Sequence, residues 1–356
     1  MITVKLTCQW SMGSAFPQDY DPQIFRLLDA IHRTGSLNKA APIIGLSYRH
    51  LWNQIRNWSE ILGQPLAVLE RGRGARLTAF GEKLLWADQR VKARLGPQLE
   101  NLASELEQEL NETFLDGRSA LRIHASHDLA LAELRDMLNR RAKGPRIELQ
   151  FRGSLDCLAS LARSQCDFAG FHIPELANSK NLLLRYRNWL KPRSEKLIEF
   201  VTRQQGLIVA KGNPKQIRQL KDLTKQDVQF VSRQQGSGTR LLLDMLLDRD
   251  HIEQKRIQGI QHEEFTHAAV AATVASGKAD AGMGIEAAAR QFDLEFVPIA
   301  SERYFLTAYQ NSMRQSTFQE FISAIKSNEF KNIIARLPGY DASHAGEFKS
   351  IRKIFP

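Results

Sequence analysis

The chain is poor in cysteine: Cys8, Cys157 and Cys166 are the three in 356 residues, and no two form a C-x-x-C pair. That sparseness excludes a disulfide scaffold and a thiolate metal site, and it suits a reducing, cytoplasmic setting. Long hydrophobic runs are missing too; none approaches the roughly 18–20 apolar residues that a membrane-spanning helix needs. The opening "MITVKLTCQWSMGSAF" has one lysine and no continuous apolar centre, so it does not read as a secretory leader.

Signatures of catalysis are equally scarce. No Ser-His-Asp grouping, paired carboxylates or Gly-Lys-Ser/Thr phosphate loop stands out, and "GRGARLT" lacks the lysine of such a loop. "HEEFTH" sets His262 and His267 five residues apart, which on a helix turns them about 140° from each other instead of onto one face. The expectation is a protein with no catalytic residues, no metal ligands and no cofactor. Acidic residues are in deficit as well. Against 49 Lys and Arg stand 39 Asp and Glu, and the net charge of +10 favours an anionic partner, nucleic acid or a small anion.

What is present begins with rhythm. Ile24, Leu27, Leu28 and Ile31 recur at i, i+3, i+4 and i+7, the stripe of an amphipathic helix. Gly35 stops it and Ser36 starts a short helix over "LNKAAPII"; Gly45 turns the chain and Ser47 caps a third helix over about residues 47–60. This is the helix-turn-helix plan, whose last helix enters the major groove of double-stranded DNA. On that helix Ser47, Tyr48, Arg49, His50, Asn53 and Gln54 are the candidate DNA contacts, since arginine and carboxamides suit paired hydrogen bonds to base edges. Trp52 and Ile55 read as core. Two β-prone runs then flank "RGRGA", a basic wing tip where Arg71, Arg73 and Arg76 would meet phosphates or the minor groove. "TGSLNKAAPIIGLSYRHLWNQI" and "LGQPLAVLERGRGARLTAFGEKLL" together resemble the winged-helix domain of the ModE and LysR-type regulators over about residues 22–86. The resemblance implies a DNA-binding transcriptional regulator. Ahead of it, "ITVKLTCQW" has the pattern of an extra strand.

From Phe80 to Phe114 one long helical pattern places Leu95, Leu99, Leu102, Leu106 and Leu110 at steps of three and four, with Gly96–Pro97 expected to kink or split it. Such a helix either packs on its own domain or joins two copies. Because helix-turn-helix proteins match two-fold operators, a linker of a homodimer or tetramer is favoured. "LDGRS" then marks a boundary. The division expected is a winged helix-turn-helix over 1–80, a linker helix over 81–116 and a two-lobed α/β domain over 117–356, its second lobe at about 203–300.

The last division rests on an internal repeat. "ALRIHASHDLALAEL" reads as strand, polar turn, helix; so does "VQFVSRQQGSGTRLLLDML", and Ser126 lies 111 residues before Ser237. "IELQFRGSLDCLASLA" pairs with "IQGIQHEEFTHAAVAATVA", which sets Ser154 near Phe265, and "RSQCDFAGF" pairs with "SGKADAGMG", which sets Asp167 against Asp280. Three matches in one order mean two lobes of one plan, with strand ends and helix starts facing a shared cleft. Helix starts carry unpaired N–H groups and partial positive charge. "RQQGSGTR" is therefore an anion cradle: Ser237 and Thr239 offer hydroxyls, Gly238 lets the backbone approach, and Arg233 and Arg240 add charge. Ser126, His127 and Ser154 face it from the other lobe, with Thr266 and His267 at a further helix start. His127 and His267 read equally as neutral donors or as rim residues; His124 reads as core, Cys157 and Cys166 as structural, and Asp167 and Asp280 as turn-forming.

"RGSLDCLASLARSQCDFAGFH", "DLTKQDVQFVSRQQGSGTRLLLDMLL" and "EEFTHAAVAATVASGKADAGMGIEAAA" resemble the periplasmic-binding-protein-like domain related to molybdate-binding proteins, over about residues 120–310. Joined to a ModE-like winged helix, this implies a cytoplasmic regulator that senses molybdate, tungstate or another oxyanion. Ser232 stands where many relatives carry asparagine. Arginines turned inward would favour sulfate, phosphate, formate or another carboxylate. The alternative class is an anion-binding protein without direct DNA regulation.

Overall fold

The computed structural model describes residues 2–8, 23–70, 74–111, 120–141, 144–175 and 180–355. Helix α1 (Gln23–Thr34) buries the expected stripe, Ile24, Leu27, Leu28 and Ile31. Helix α2 (Leu37–Ile44) ends at Gly45, whose φ of 73° lies in the left-handed region that glycine enters without a Cβ clash. Ser47 caps α3 (Tyr48–Ile61), its hydroxyl oxygen accepting the N–H of His50. Leu51, Ile55 and Trp58 close α3 onto the first two helices. Strands β1 (Ala67–Glu70) and β2 (Gly74–Leu77) pair antiparallel as the wing, pinned to the helices where Ala75 donates its N–H to the Gly35 carbonyl at 2.9 Å.

Helix α4 (Ala79–Asn111) runs for 33 residues straight through Gly96–Pro97, so the expected split does not occur. A proline has no N–H for the carbonyl four residues earlier, here Ala93. That carbonyl accepts the hydroxyl of Thr266 instead, at 2.9 Å. A donor from another part of the chain replaces the missing one, and the helix continues. Near its start Leu84 and Leu85 complete the winged-helix core. Trp86 meets His32 edge-on at 5.1 Å and lies against Phe292 at 5.9 Å, joining the winged helix to the larger domain. Residues 2–8 form no strand, contrary to expectation. They lie along the far end of α4, where Ile2 and Val4 donate backbone N–H groups to Asn111 Oδ1 and Glu107 Oε1 at 2.9 and 2.8 Å. Side chains of a helix, not a sheet edge, satisfy that extended backbone.

The rest is the repeated unit. Strand β3 (Ala120–Ala125), α5 (Leu129–Asn139), β4 (Arg146–Phe151), α6 (Ser154–Ala162) and β5 (Phe168–Pro174) make the first lobe. After α7 (Lys180–Arg187) and β6 (Glu195–Val209), the second lobe follows: β7 (Phe230–Arg233), α8 (Gly238–Arg249), β8 (Glu263–Glu264), α9 (His267–Ala275) and β9 (Ala281–Ile285). Then come α10 (Glu286–Gln291) and β10 (Glu295–Tyr309), and the sheet runs β4-β3-β5-β10-β6-β9-β7-β8. In each lobe the first strand is parallel to the other two. Asp167 accepts the backbone N–H of Arg122 at 2.8 Å, and Asp280 accepts that of Gln229 at 2.7 Å, the same bond in both lobes. The antiparallel pair β6 and β10 passes through both lobes, β10 meeting β5 and β6 meeting β9.

Candidate functional site

Strand ends and helix starts of the two lobes face each other across a cavity of about 190 Å³. Eight of the ten expected ligand residues line it: Ser126, His127 and Ser154 from the first lobe, Arg233, Ser237, Gly238, Thr239 and His267 from the second. Ser154 opens α6 and Gly238 opens α8, so two helix starts aim their free N–H groups inward. Helix α5 differs, because the Asp128 carboxylate caps it by accepting the N–H of Ala130 at 2.8 Å. Ser237 caps α8 through its oxygen, which leaves its hydroxyl hydrogen to donate. Thr239 likewise accepts from Gln205 Nε2 at 3.0 Å and keeps a hydrogen to give. Gly236 adopts φ 79°, which only glycine takes easily; Gly238 does not need that freedom, and a side chain there would project into open space.

Two expected ligand residues are elsewhere. Arg240 is buried beneath α8, donating to Asp244 Oδ1 at 2.9 Å, Ser232 Oγ at 3.1 Å and Gln254 Oε1 at 3.3 Å. An arginine on the first turn of a helix has Asp four residues on as its nearest partner, and that pairing turns it away from the mouth. Ser232, beside the cradle, thus holds Arg240 and does not reach the cavity. Thr266 caps α9 by accepting the N–H of Ala269 and gives its hydrogen to Ala93, so its hydroxyl is fully committed away from the cleft.

Arg233 is the decisive side chain. It is 92% buried, with 8% of its surface exposed, and lines the cavity. Its guanidinium donates to Gln234 Oε1 and to the Phe265 carbonyl, both at 3.0 Å, and forms no ion pair among the described residues. Burial first, then the charge of Arg203, pushes its pKa down to about 9. A positive charge is thus held in a dry place, hydrogen-bonded only to neutral groups, with Arg203 opposing it and Glu302, already paired with Arg203, offsetting it in part.

The floor of the cavity was not expected from the sequence. Arg203 on β6 donates to Glu302 on β10 and to Asp128 Oδ2, the latter at 2.7 Å. Burial alone would raise Asp128, but the hydrogen bond from His172 and the charge of Arg203 outweigh it and hold the carboxyl at about 2. An ionised Asp128 requires the proton of His172 on Nε2, 3.5 Å away. Nδ1 is then an acceptor, and the Ser126 hydroxyl donates to it at 2.7 Å. Ser126 therefore faces the cavity with its hydrogen already engaged. His127 is pushed down to about 4, chiefly by burial, and His267 well below its ordinary value by burial and the charges of Arg233 and Arg203. Both are neutral donors at pH 7. The buried Nδ1 of His267 has no hydrogen-bond partner among the described residues.

On the winged helix, Ser47, Tyr48, Arg49, His50 and Asn53 are exposed along the outer face of α3. The His50 ring meets the Gln54 carboxamide at 3.1 Å, so these two start paired with each other. Arg76 is exposed on β2, while Arg71 and Arg73 lie outside the described residues. Cys157 and Cys166 are buried, and burial pushes their thiols up, Cys166 to about 12, away from reactivity. Among the described residues no group of His, Cys, Asp and Glu is placed to hold a metal, and no helix is long and apolar enough to cross a membrane.

A winged helix-turn-helix, a long helix and a two-lobed cleft domain define a class, and comparison with known proteins agrees with it. The PBP superfamily domain matches residues 135–326, and the bacterial regulatory helix-turn-helix proteins of the lysR family match residues 23–82. The chain belongs to the PBP superfamily and carries a LysR-family helix-turn-helix ahead of that domain. It is a LysR-type transcriptional regulator with a PBP-like effector domain: it binds DNA and is not an enzyme. The reading as an anion-binding protein without a DNA role is thereby set aside. The chain is 28% identical over 249 residues to the uncharacterized protein YvgK of Bacillus subtilis, covering 69% of this chain and 78% of that one. It is 32% identical over 85 residues to the molybdenum transport protein ModE of Azotobacter vinelandii, 23% of this chain and 32% of that one. A mutant OxyR structure from Corynebacterium glutamicum is 17% identical, covers 89% of this chain and 95% of that one, and has a TM-score of 0.44.

Proposed function

We propose that this chain is a cytoplasmic one-component regulator whose cleft binds a small oxyanion, molybdate or tungstate first, and whose DNA affinity responds to it. The observation that carries the reading is Arg233, a buried guanidinium that forms no ion pair among the described residues, on the wall of a cavity where the charges of Arg203 and Glu302 are already paired with each other. A bound anion would supply the missing negative charge, and the starts of α6 and α8 would share it. The cavity, at about 190 Å³, suits a compact ion and not a nucleotide or a drug-sized ligand, whose pockets run to roughly 300–1,000 Å³. The name of the ModE relative points to molybdenum for that protein.

The inward-turned Arg233 by itself favours sulfate, phosphate, formate or another small carboxylate, which together are the second reading; molybdate and tungstate stand first on the name of the ModE relative and on the helix starts and hydroxyls that share the cavity. The DNA-binding unit is a homodimer or tetramer joined through α4, whose Leu95, Leu102, Leu106 and Leu110 stay exposed in the single chain. The test is an electrophoretic shift with the chain's own upstream DNA, at fixed ionic strength, with each anion in turn. A shift that responds to molybdate or tungstate at micromolar concentration supports the reading. A shift indifferent to every anion contradicts it.

A further inference from the structure

The effector cleft of a two-lobed domain is made by the two lobes. Here a third element reaches it. Pro97 of α4 lines the same cavity as Arg233 and Ser154. It is the middle of a stripe at four-residue spacing, Ala93, Pro97 and Asn101, which lies on one face of the helix. The first of these bonds the second lobe, through the Thr266 hydroxyl at 2.9 Å. The last bonds the first lobe: the Asn101 carboxamide donates to the Phe151 carbonyl at 2.9 Å and accepts the Phe151 N–H at 2.7 Å, closing the end of β4. Arg94 adds an ion pair to the buried Glu264 of the second lobe, and Glu100 one to Arg135 of the first at 3.3 Å. Over two turns, about 12 Å, α4 is tied to one lobe, crosses the cleft mouth and is tied to the other.

We propose that α4 is the third wall of the effector site, with Pro97 as a ligand-contact residue and Asn101 as a positioning residue, so that the effector acts on the linker helix directly. This rests on the anion reading of the cleft. The proline has a chemical reason to be there. Lacking an N–H, it frees the Ala93 carbonyl for Thr266, and its compact, apolar ring borders the cavity without offering a competing acceptor. A ligand that changes the separation of the lobes cannot leave both ends of the stripe unstrained. It shifts α4, and through Trp86, which touches both His32 and Phe292, it shifts the winged helix.

The experiment uses the full chain and sodium molybdate, read by calorimetry and by DNA shift, with variants at Pro97, Asn101 and Thr266. Pro97→Phe places a larger ring in the cavity and should weaken molybdate binding roughly tenfold or more, while neither lobe has been altered. Asn101→Ala should split the two readouts: molybdate is still bound, but DNA affinity no longer follows it. A purely structural Asn101 would lower both or neither. Thr266→Val gives a check that does not depend on ligand. It should destabilise wild type more than Pro97→Ala, because residue 97 then has an N–H for Ala93. Equal destabilisation in the two backgrounds overturns the contact. Molybdate bound by wild type and by Pro97→Phe with the same affinity overturns the wall while leaving the anion site standing. No heat from wild type overturns the anion reading and this proposal together.

Discussion

Arg203 and Glu302 stand opposite each other in the pairing of β6 with β10, at the level where these strands leave one lobe for the other, and the guanidinium donates to the carboxylate. Asp128, from the first lobe, shares the same guanidinium. One cation thus holds a carboxylate of a crossing strand and a carboxylate of a helix cap, and the Tyr340 hydroxyl donates to Asp128 at 3.1 Å. Arg203→Met should leave two buried carboxylates unpaired and cost about 3–5 kcal/mol, measured by urea denaturation. A loss below about 1 kcal/mol would mean that the network is solvated.

Acid should destabilise the ligand-free protein above the carboxylate range. His127 binds its proton more weakly folded, at about 4, than unfolded, at 6.5, and His172 and His267 are shifted in the same direction. The unfolded chain therefore takes up more protons as the pH falls. Stability is full above about 6.5 and is lost progressively toward about 4, with His127 alone contributing on the order of 3 kcal/mol. Asp128, held at about 2, adds its own loss only below its unfolded value of 3.8. Urea midpoints across this range should slope steeply, and His127→Gln should flatten the slope. An unchanged slope would show that folding does not weaken proton binding at His127.

Much of this was legible in the sequence, and the parts that were not share a physical cause. Gly45 and Ser47 mark a helix end and a helix start by local chemistry, so the helix-turn-helix could be read directly. The repeat could be read because both lobes reuse the same turn, down to Asp167 and Asp280 bonding the neighbouring strand. Arg240 and Thr266 were misplaced. A donor at a helix mouth can find a partner other than a ligand: Asp244 took Arg240 from one turn away, and the Ala93 carbonyl took Thr266 from another part of the chain. Arg203 and Glu302 lie 99 residues apart and meet only through strand register. The available signal was faint: Arg203 sits with Glu199 in the mixed run "IEFVTRQQGLIV", and Glu302 with Arg303 at the head of "ERYFLTAY". A kink or split at Gly96–Pro97 is what local sequence predicts, and the donor that keeps the helix whole, Thr266, lies 169 residues beyond the proline.

DNA binding should separate into two kinds of contact. Arg49→Ala and Asn53→Ala, on the exposed face of α3, should each cost about 1–3 kcal/mol and relax specificity at one base pair. Arg76→Ala should weaken binding to every sequence alike and reduce the log–log salt slope by about 0.9 if it meets one phosphate. His50→Ala should cost less than Arg49→Ala, since its ring already engages Gln54. Equal losses on specific and random DNA for Arg49→Ala would refute its base-reading role.

Assembly should depend on the exposed edge of α4. Leu102, 50% exposed, and Leu106, 39% exposed, lie one turn apart. Leu102→Glu with Leu106→Glu would place two carboxylates in an apolar seam and should yield monomers by light scattering. A mass that stays dimeric would move the interface off this helix.

The central claim is that the charge of Arg233 exists for an anion, and Arg233→Met tests it most directly. Thermal unfolding and calorimetry with sodium molybdate would be run on wild type and variant. A buried charge without an acidic partner costs stability until a ligand answers it. The ligand-free variant should therefore melt no lower than wild type. Molybdate should raise the melting temperature of wild type and leave the variant unmoved. A variant that binds molybdate as tightly as wild type, or a ligand-free variant that is markedly less stable, would contradict the account.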